Sequence, residues 1–391
     1  MPTQKPDSRA GRPDRKRQLV EHAAELFLLR GYAQVSVADV ARAAGVTAPS
    51  VYRHFDDKQS LLVAAVMAGV DELVDCTDRA LAAPDRTIDD LITAACRLGV
   101  TRPGAASLWR WTSNYLTDEQ NVLVARRTRD VVGRWAACVA ADRPDLSERE
   151  SVQLASAVLS ICGSLSVHHS RMSEARARAE LSILVHRVIA LHPASAPPLP
   201  PVAPLTDPTI TRRDQILDAA ADLFADRGYS NVGVDDIGAA VGITGPSVYK
   251  HFSSKLAILV AIGQRSAMRL EAGVLAAFSA TSDPAKLLGL LVDSYVSVIT
   301  STPDLSVAFN SAAILAGKPP AVELLDIQRR YVARWTDLLL AVDNGLKRDQ
   351  ATVAVHAALS IINDAVRMRR GVGRPEFAAR MAYLMKGVLD V

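Results

Sequence analysis

Apolar residues recur along this chain with the period of a helix. Over residues 14–30, Leu19, Ala23, Leu26 and Phe27 fall on one face and Gly31 supplies a stop, which predicts an amphipathic helix. Ser36 is placed to cap a short helix over 37–44 ended by Gly45, and Thr47 to cap another with Pro49 in its first turn. Two short helices joined at a glycine predict a helix-turn-helix. Lys58 then opens a strongly apolar helix through Leu61, Leu62, Ala65 and Val66. Helical spacing continues over 88–100, 105–116, 121–141, 151–168 and 174–191, punctuated by Pro84, Pro103 and Pro144.

Seven prolines between His192 and Pro208 favour extended polyproline-II backbone and mark a semi-rigid linker. Beyond it the pattern starts again. Residues 18–64 and 215–261 share 24 identities in 47 positions without a gap, at an offset of 197. Further on, Arg134-Trp135 and Leu159-Ser160-Ile161 meet Arg334-Trp335 and Leu359-Ser360-Ile361 at an offset of 200, so the whole half is duplicated. The expected architecture is all-α, in six parts: a basic arm (1–13), a DNA-binding domain (14–66), a helical body (67–191), the linker (192–208), a second DNA-binding domain (209–263) and a second body (264–391).

Composition narrows the function by exclusion. With 22% charged and 49% apolar residues the 391-residue chain is globular, and a net charge of +3 is too small for a general polyanion binder. Contact with nucleic acid must therefore come from local basic clusters. The four cysteines lack metal or redox spacing and are expected to be reduced. The polar, basic N-terminus is not a secretory signal, and the most apolar segment, 154–167, is broken by Ser156, Ser160, Gly163 and Ser164, so a cytoplasmic protein with no membrane span is expected. No nucleotide, hydrolase or zinc-protease signature is present, and no catalytic residue, metal or cofactor is expected.

The best-kept stretch is Val46-Thr47-Ala48-Pro49-Ser50-Val51-Tyr52-Arg53-His54-Phe55, repeated as Ile243-Thr244-Gly245-Pro246-Ser247-Val248-Tyr249-Lys250-His251-Phe252. Packing requires only the apolar positions, yet the polar and cationic ones recur too, as a surface touching an anion requires. Val51, Phe55, Val248 and Phe252 read as core. Thr47, Pro49, Ser50 and Arg53, with Thr244, Pro246, Ser247 and Lys250, read as a major-groove face, where short side chains let the backbone approach. Tyr52 and Tyr249 either pack their rings or reach a phosphate. His54 and His251 have no metal-spaced partners and read as phosphate or base contacts. Lys58 and Lys255 read as solvated charges or as phosphate clamps, and their recurrence favours the clamp.

A helix ending in Gly-Tyr, then Val-x-Asp-Val/Ile, a glycine turn, Ser-Val-Tyr-x-His-Phe and Lys resembles the tetracycline-repressor (TetR) family of bacterial transcription factors, twice over. The resemblance implies double-stranded operator DNA as partner, an all-α dimer built on the C-terminal helices, and a small-molecule pocket in each body. Fusing two such subunits in one chain implies an intramolecular pseudo-dimer, with further homodimerisation open. Its four-helix interface would carry the stripes Leu154, Val158, Ile161, Leu165 and Val355, Leu359, Ile362, Val366, which fit each half's own core equally well. Trp109, Trp111 and Tyr115 in one body, and Tyr295 and Phe309 in the other, are either core or the wall of a pocket for a lipophilic effector.

The expected function is a sequence-specific regulator, a repressor released by such an effector. Gly238 and Gly245 weaken the second recognition unit by about 1 kcal/mol each relative to alanine. Two unlike heads imply an asymmetric operator with half-sites about one helical turn apart. The alternative is a sensing or interaction module with reduced DNA binding in its second half.

Overall fold

The computed structural model describes residues 15–82, 87–102, 108–112, 115–166, 172–200, 211–315, 319–368 and 372–391; the side chains at 111, 112, 312, 313 and 319–321 lie outside that description. No strand occurs among these residues. The first half runs α1 (Arg15–Arg30), α2 (Val37–Ala43), α3 (Ala48–Tyr52), α4 (Lys58–Leu81), α5 (Ile88–Thr101), α6 (Leu108–Thr112), α7 (Asp118–Asp142), α8 (Glu148–Cys162) and α9 (Glu174–Ile189). The second runs α10 (Arg212–Arg227), α11 (Val234–Ala240), α12 (Gly245–Val248), α13 (Lys255–Ala280), α14 (Pro284–Ser301), α15 (Asp304–Asn310), α16 (Ala312–Leu315), α17 (Pro319–Val342), α18 (Arg348–Arg367) and α19 (Phe377–Leu389).

Local chemistry sets many of the starts. Ser36, Asp57, Thr117 and Ser147 each accept from the backbone N–H three residues on, and the side chains of Asp39, Ser60, Gln120 and Glu150 return to the cap backbone. Gly31 and Gly228 take φ values of 80° and 76° where α1 and α10 stop, a region that glycine enters without steric cost.

Each three-helix head buries its own core, around Leu19, Phe27, Val51 and Leu62 in the first and Ile216, Phe224, Val248 and Ile258 in the second. The two bodies, by contrast, share one. Leu154, Val158 and Ile161 of α8 and Val355, Leu359 and Ile362 of α18 belong to a single apolar cluster, so the stripes serve core and interface at once. Helix α8 packs on α18, and α9 on both α18 and α19. Polar pairs ring this contact: Arg149 with Glu376, Arg176 with Asp349 at 3.3 Å, and Arg380 donating to Gln153 at 2.9 Å.

Within the expected helix 105–116, α6 spans Leu108–Thr112 and Leu116 lies in a bend; two further segments depart from the sequence reading. Helix α8 ends at Cys162, short of 168, because the Arg110 guanidinium lies against Gly163: a Cβ there would come within 2.7 Å of Arg110 Nη2. The head of the linker is not a free spacer. Pro193 is buried in a 3₁₀ turn over Pro193–Ser195, Ala194 N–H donates to Glu150 at 2.9 Å, and Leu199 packs on the shared core. Linker residues 201–208, the arm 1–13 and Asp14 lie outside the described residues.

Candidate nucleic-acid interface and effector cavity

In each head a glycine turn sets one short helix against the next. Gly45 and Gly242 take φ values of 66° and 69° between α2 and α3 and between α11 and α12. Buried Val51 and Phe55, with Val248 and Phe252, anchor the recognition segments on the head cores. That anchoring turns the intervening residues outward: Tyr52 and Tyr249 are each 55% exposed, and Arg53, His54, Lys250, Thr47, Thr244, Pro49 and Pro246 are also exposed or nearly so at the surface. Ser50, Ser247 and His251 are half-buried. Thr47 and Thr244 occupy the cap positions of α3 and α12 without a side-chain cap hydrogen bond, and Thr244 instead pairs its hydroxyl with Ser247 at 3.0 Å.

Lys58 and Lys255 sit differently from the phosphate-clamp expectation. The Lys255 ammonium donates to the carbonyls of Tyr229 and Val232, both at 2.9 Å, and lies 4.3 Å from the centre of the Tyr229 ring; Lys58 lies 4.1 Å from that of Tyr32. Burial lowers the pKa of both, as expected for ammonium groups drawn out of water. Desolvation opposes the inward pose, and it is offset by the aromatic ring at both lysines and, at Lys255, by the two carbonyls. Arg213 serves the recognition segment from behind: it donates to the His251 carbonyl at 2.6 Å and stacks 4.0 Å from the Phe252 ring centre. Lys16, one repeat earlier, lies over Phe55.

The two glycines of the second head are steric complements rather than simple losses. A Cβ on Gly238 would stand 2.8 Å from the Ile243 carbonyl oxygen and 3.0 Å from the Thr244 carbonyl carbon, so α11 and the start of α12 approach more closely than alanine permits. A Cβ on Gly245 would overlap the Asp235 carboxylate. The first head has alanine at the positions of both Asp235 and Gly245, namely Ala38 and Ala48. The second head thus places a carboxylate beside the opening of its recognition helix, and the first does not.

The bodies are equally unlike. The second encloses a cavity of about 190 Å³, walled by Leu270, Tyr295, Leu305, Phe309, Tyr331 and others, while its counterpart in the first measures about 70 Å³ and includes Trp109. Tyr115 lines neither cavity: its ring packs at a tilt on Tyr32 with ring centres 4.8 Å apart, and its carbonyl accepts from Gln59 at 2.5 Å, which ties body to head. The side chain of Trp111 lies outside the described residues.

Tyr295 donates to Asn363 at 2.8 Å, and burial raises its pKa and that of Tyr331, whose hydroxyl donates to no acceptor among the described residues. Arg110, 3% exposed, crosses from the first half into the cavity wall of the second. It donates from Nε and Nη2 to the Asp364 carboxylate at 2.9 and 2.6 Å, and from Nη1 to the Gly163 carbonyl at 2.8 Å. Neither Arg110 nor Asp364 belongs to the site read from the sequence. Their signal is a charge set inside an apolar run, between Trp109 and Trp111 and within the α18 stripe. No metal-ligating cluster occurs among the described residues, and no described helix is long and apolar enough to cross a membrane.

Residues 19–65 and 216–262 both match the model of the bacterial regulatory proteins of the tetR family. The chain is similar to the HTH-type transcriptional activator FasR of Mycolicibacterium smegmatis, 39% identical over 92 residues, which is 24% of this chain and 42% of that protein. It is also similar to the HTH-type transcriptional repressor KstR2 of Rhodococcus jostii, 37% identical over 67 residues, 17% of this chain and 33% of that protein. The chain therefore spans less than half the length of these two curated relatives. Among solved structures, the ketosteroid transcriptional regulator KstR2 of Mycobacterium tuberculosis aligns at 24% identity over 46% of this chain and 94% of that one, with a TM-score of 0.41.

Proposed function

Since the chain is a tandem member of the tetR family, with that family's N-terminal domain at residues 19–65 and 216–262, we propose that it is a sequence-specific transcriptional repressor that grips an asymmetric operator with two unlike heads. The observation that carries this reading is the repeated orientation: in both heads Val and Phe are buried, while the Tyr and the cation between them face solvent. The two halves stand in for two subunits, held by α8 and α9 against α18 and α19. Thr47, Pro49, Ser50, Tyr52, Arg53 and His54, with Thr244, Pro246, Ser247, Tyr249, Lys250 and His251, form the groove and phosphate contacts. A small lipophilic effector releases the protein by favouring a head spacing that no longer fits the DNA. Near-complete switching needs about 5.5 kcal/mol of differential affinity between the two states.

Footprinting on DNA flanking its own gene tests the reading. Arg53→Ala is expected to erase protection of one half-site and Lys250→Ala of the other, and identical losses from both would overturn the paired-head arrangement. A second reading, in which the second head contributes little DNA affinity, is favoured by Asp235 beside the opening of α12. It predicts an unchanged footprint for Lys250→Ala.

A further inference from the structure

The larger cavity touches the helices that lie beneath both heads. On one side, α15 contributes Leu305, Ala308 and Phe309 to its wall, while Val307 of the same helix is buried in the second head's core with Ile216, Phe224 and Ile262. On the other side the wall is completed by Arg110 of α6, whose neighbour Leu108 is buried in the first head's core with Leu19, Phe27 and Leu62. Arg110 is fixed at the crossing by its two-pronged pair with Asp364 and by the Gly163 carbonyl. Asp364 is also held by Arg367 of its own helix at 3.3 Å, and this buried cluster transmits displacement because a shift of α18 away from Arg110 leaves the Arg110 guanidinium without its carboxylate.

Among the described residues the first body offers only a smaller counterpart. Gly99 lets α5 come so close to α8 that an added Cβ would overlap the Cys162 carbonyl, and only about 70 Å³ remains there.

We propose that the cavity of the second body is the single effector site of the chain and acts on both heads, on the second through α15 and on the first through Arg110. This rests on the DNA-binding reading above and adds which site controls which head. The ligand is an uncharged lipophile bearing a hydrogen-bond acceptor such as a ketone or ester carbonyl. Arg110 and Arg367 balance Glu271 and Asp364 in the lining, and the buried Tyr331 hydroxyl supplies a donor.

The test uses the full chain and footprint titrations resolved by half-site. Ala267→Trp, and independently Leu324→Trp, fills the cavity as a fixed ligand does. Asp364 also pairs with the largely buried Arg367 at 3.3 Å, so Arg110→Met with Asp364→Leu and Arg367→Met removes the strut while leaving no unpaired buried charge. Each filler is expected to weaken the first half-site about tenfold in the parent chain, within the usual range of coupling between sites, and less than about twofold when the strut is gone.

Thermal denaturation confirms that each variant folds, and Nile red, an uncharged lipophilic dye, supplies the same test without a filler. One dye per chain, displaced by either filler and acting on both half-sites, is expected. Two dyes per chain, no dye bound, or a first half-site equally sensitive with and without the strut would overturn the inference. Absence of any protection by the parent chain would instead overturn the DNA-binding reading.

Discussion

Lys255 shows how a recurring cation acquires its meaning from what surrounds it. Its ammonium satisfies two carbonyls and packs on an aromatic ring, so Lys255→Met is expected to cost about 1–3 kcal/mol of stability while leaving the salt dependence of DNA binding unchanged. Urea unfolding and a salt titration check the two halves of that statement. Gly238 works in the same way. Alanine is better by about 1 kcal/mol in a helix, yet Gly238→Ala is expected to destabilise the second head by about 1–3 kcal/mol through overpacking, because the added Cβ meets backbone atoms that have nowhere to go. A lowered melting temperature would confirm it. At Asp235 the effect is electrostatic: Asp235→Ala removes a carboxylate from beside the opening of α12 and is expected to tighten the second half-site several-fold at low salt, read by half-site footprinting.

Among elements, the short α6 and the end of α8 carry the most consequence for their length. Arg110→Ala leaves buried Asp364 with Arg367 as its remaining cation and is expected to destabilise the chain by about 1–3 kcal/mol; adding Asp364→Leu strands Arg367 and deepens the loss, and Arg367→Met on top of both recovers most of it in denaturant melts. Helical periodicity predicted α1, α5, α7 and α9 closely, because each is long, amphipathic and packed along one stripe. It failed at 151–168 for a reason outside that segment. The helix stops where a guanidinium from 53 residues upstream lies against Gly163 and donates to its carbonyl.

For the whole molecule, the shared core decides whether the halves are separable. Leu181, Leu184 and Val188 of α9 and Leu384, Met385 and Val388 of α19 belong to the same apolar cluster, and Gly387 leaves room for Leu191 against α19. Cleaving the chain within 201–208 is therefore expected to leave the two fragments associated through purification, and each fragment expressed alone to be insoluble or molten. Size-exclusion chromatography and near-ultraviolet circular dichroism distinguish the outcomes. The paired heads are held by this core rather than by the linker, whose first residues are themselves pinned to the body.

The amino-acid sequence by itself determined the helical class, the duplication and the two recognition segments, since these depend on local spacing, caps and turn glycines that act within a few residues. Its recurrent polar positions also identified the outward face of each head. Tertiary structure alone decided that Lys58 and Lys255 turn inward, that the second head's glycines answer Asp235 and the turn backbone, that the cavities are unequal, and that Arg110 belongs to the other half's wall. Each of these depends on atoms far apart in the chain or on different helices, and on which buried charge finds a partner, and neither is written in the period of the apolar residues.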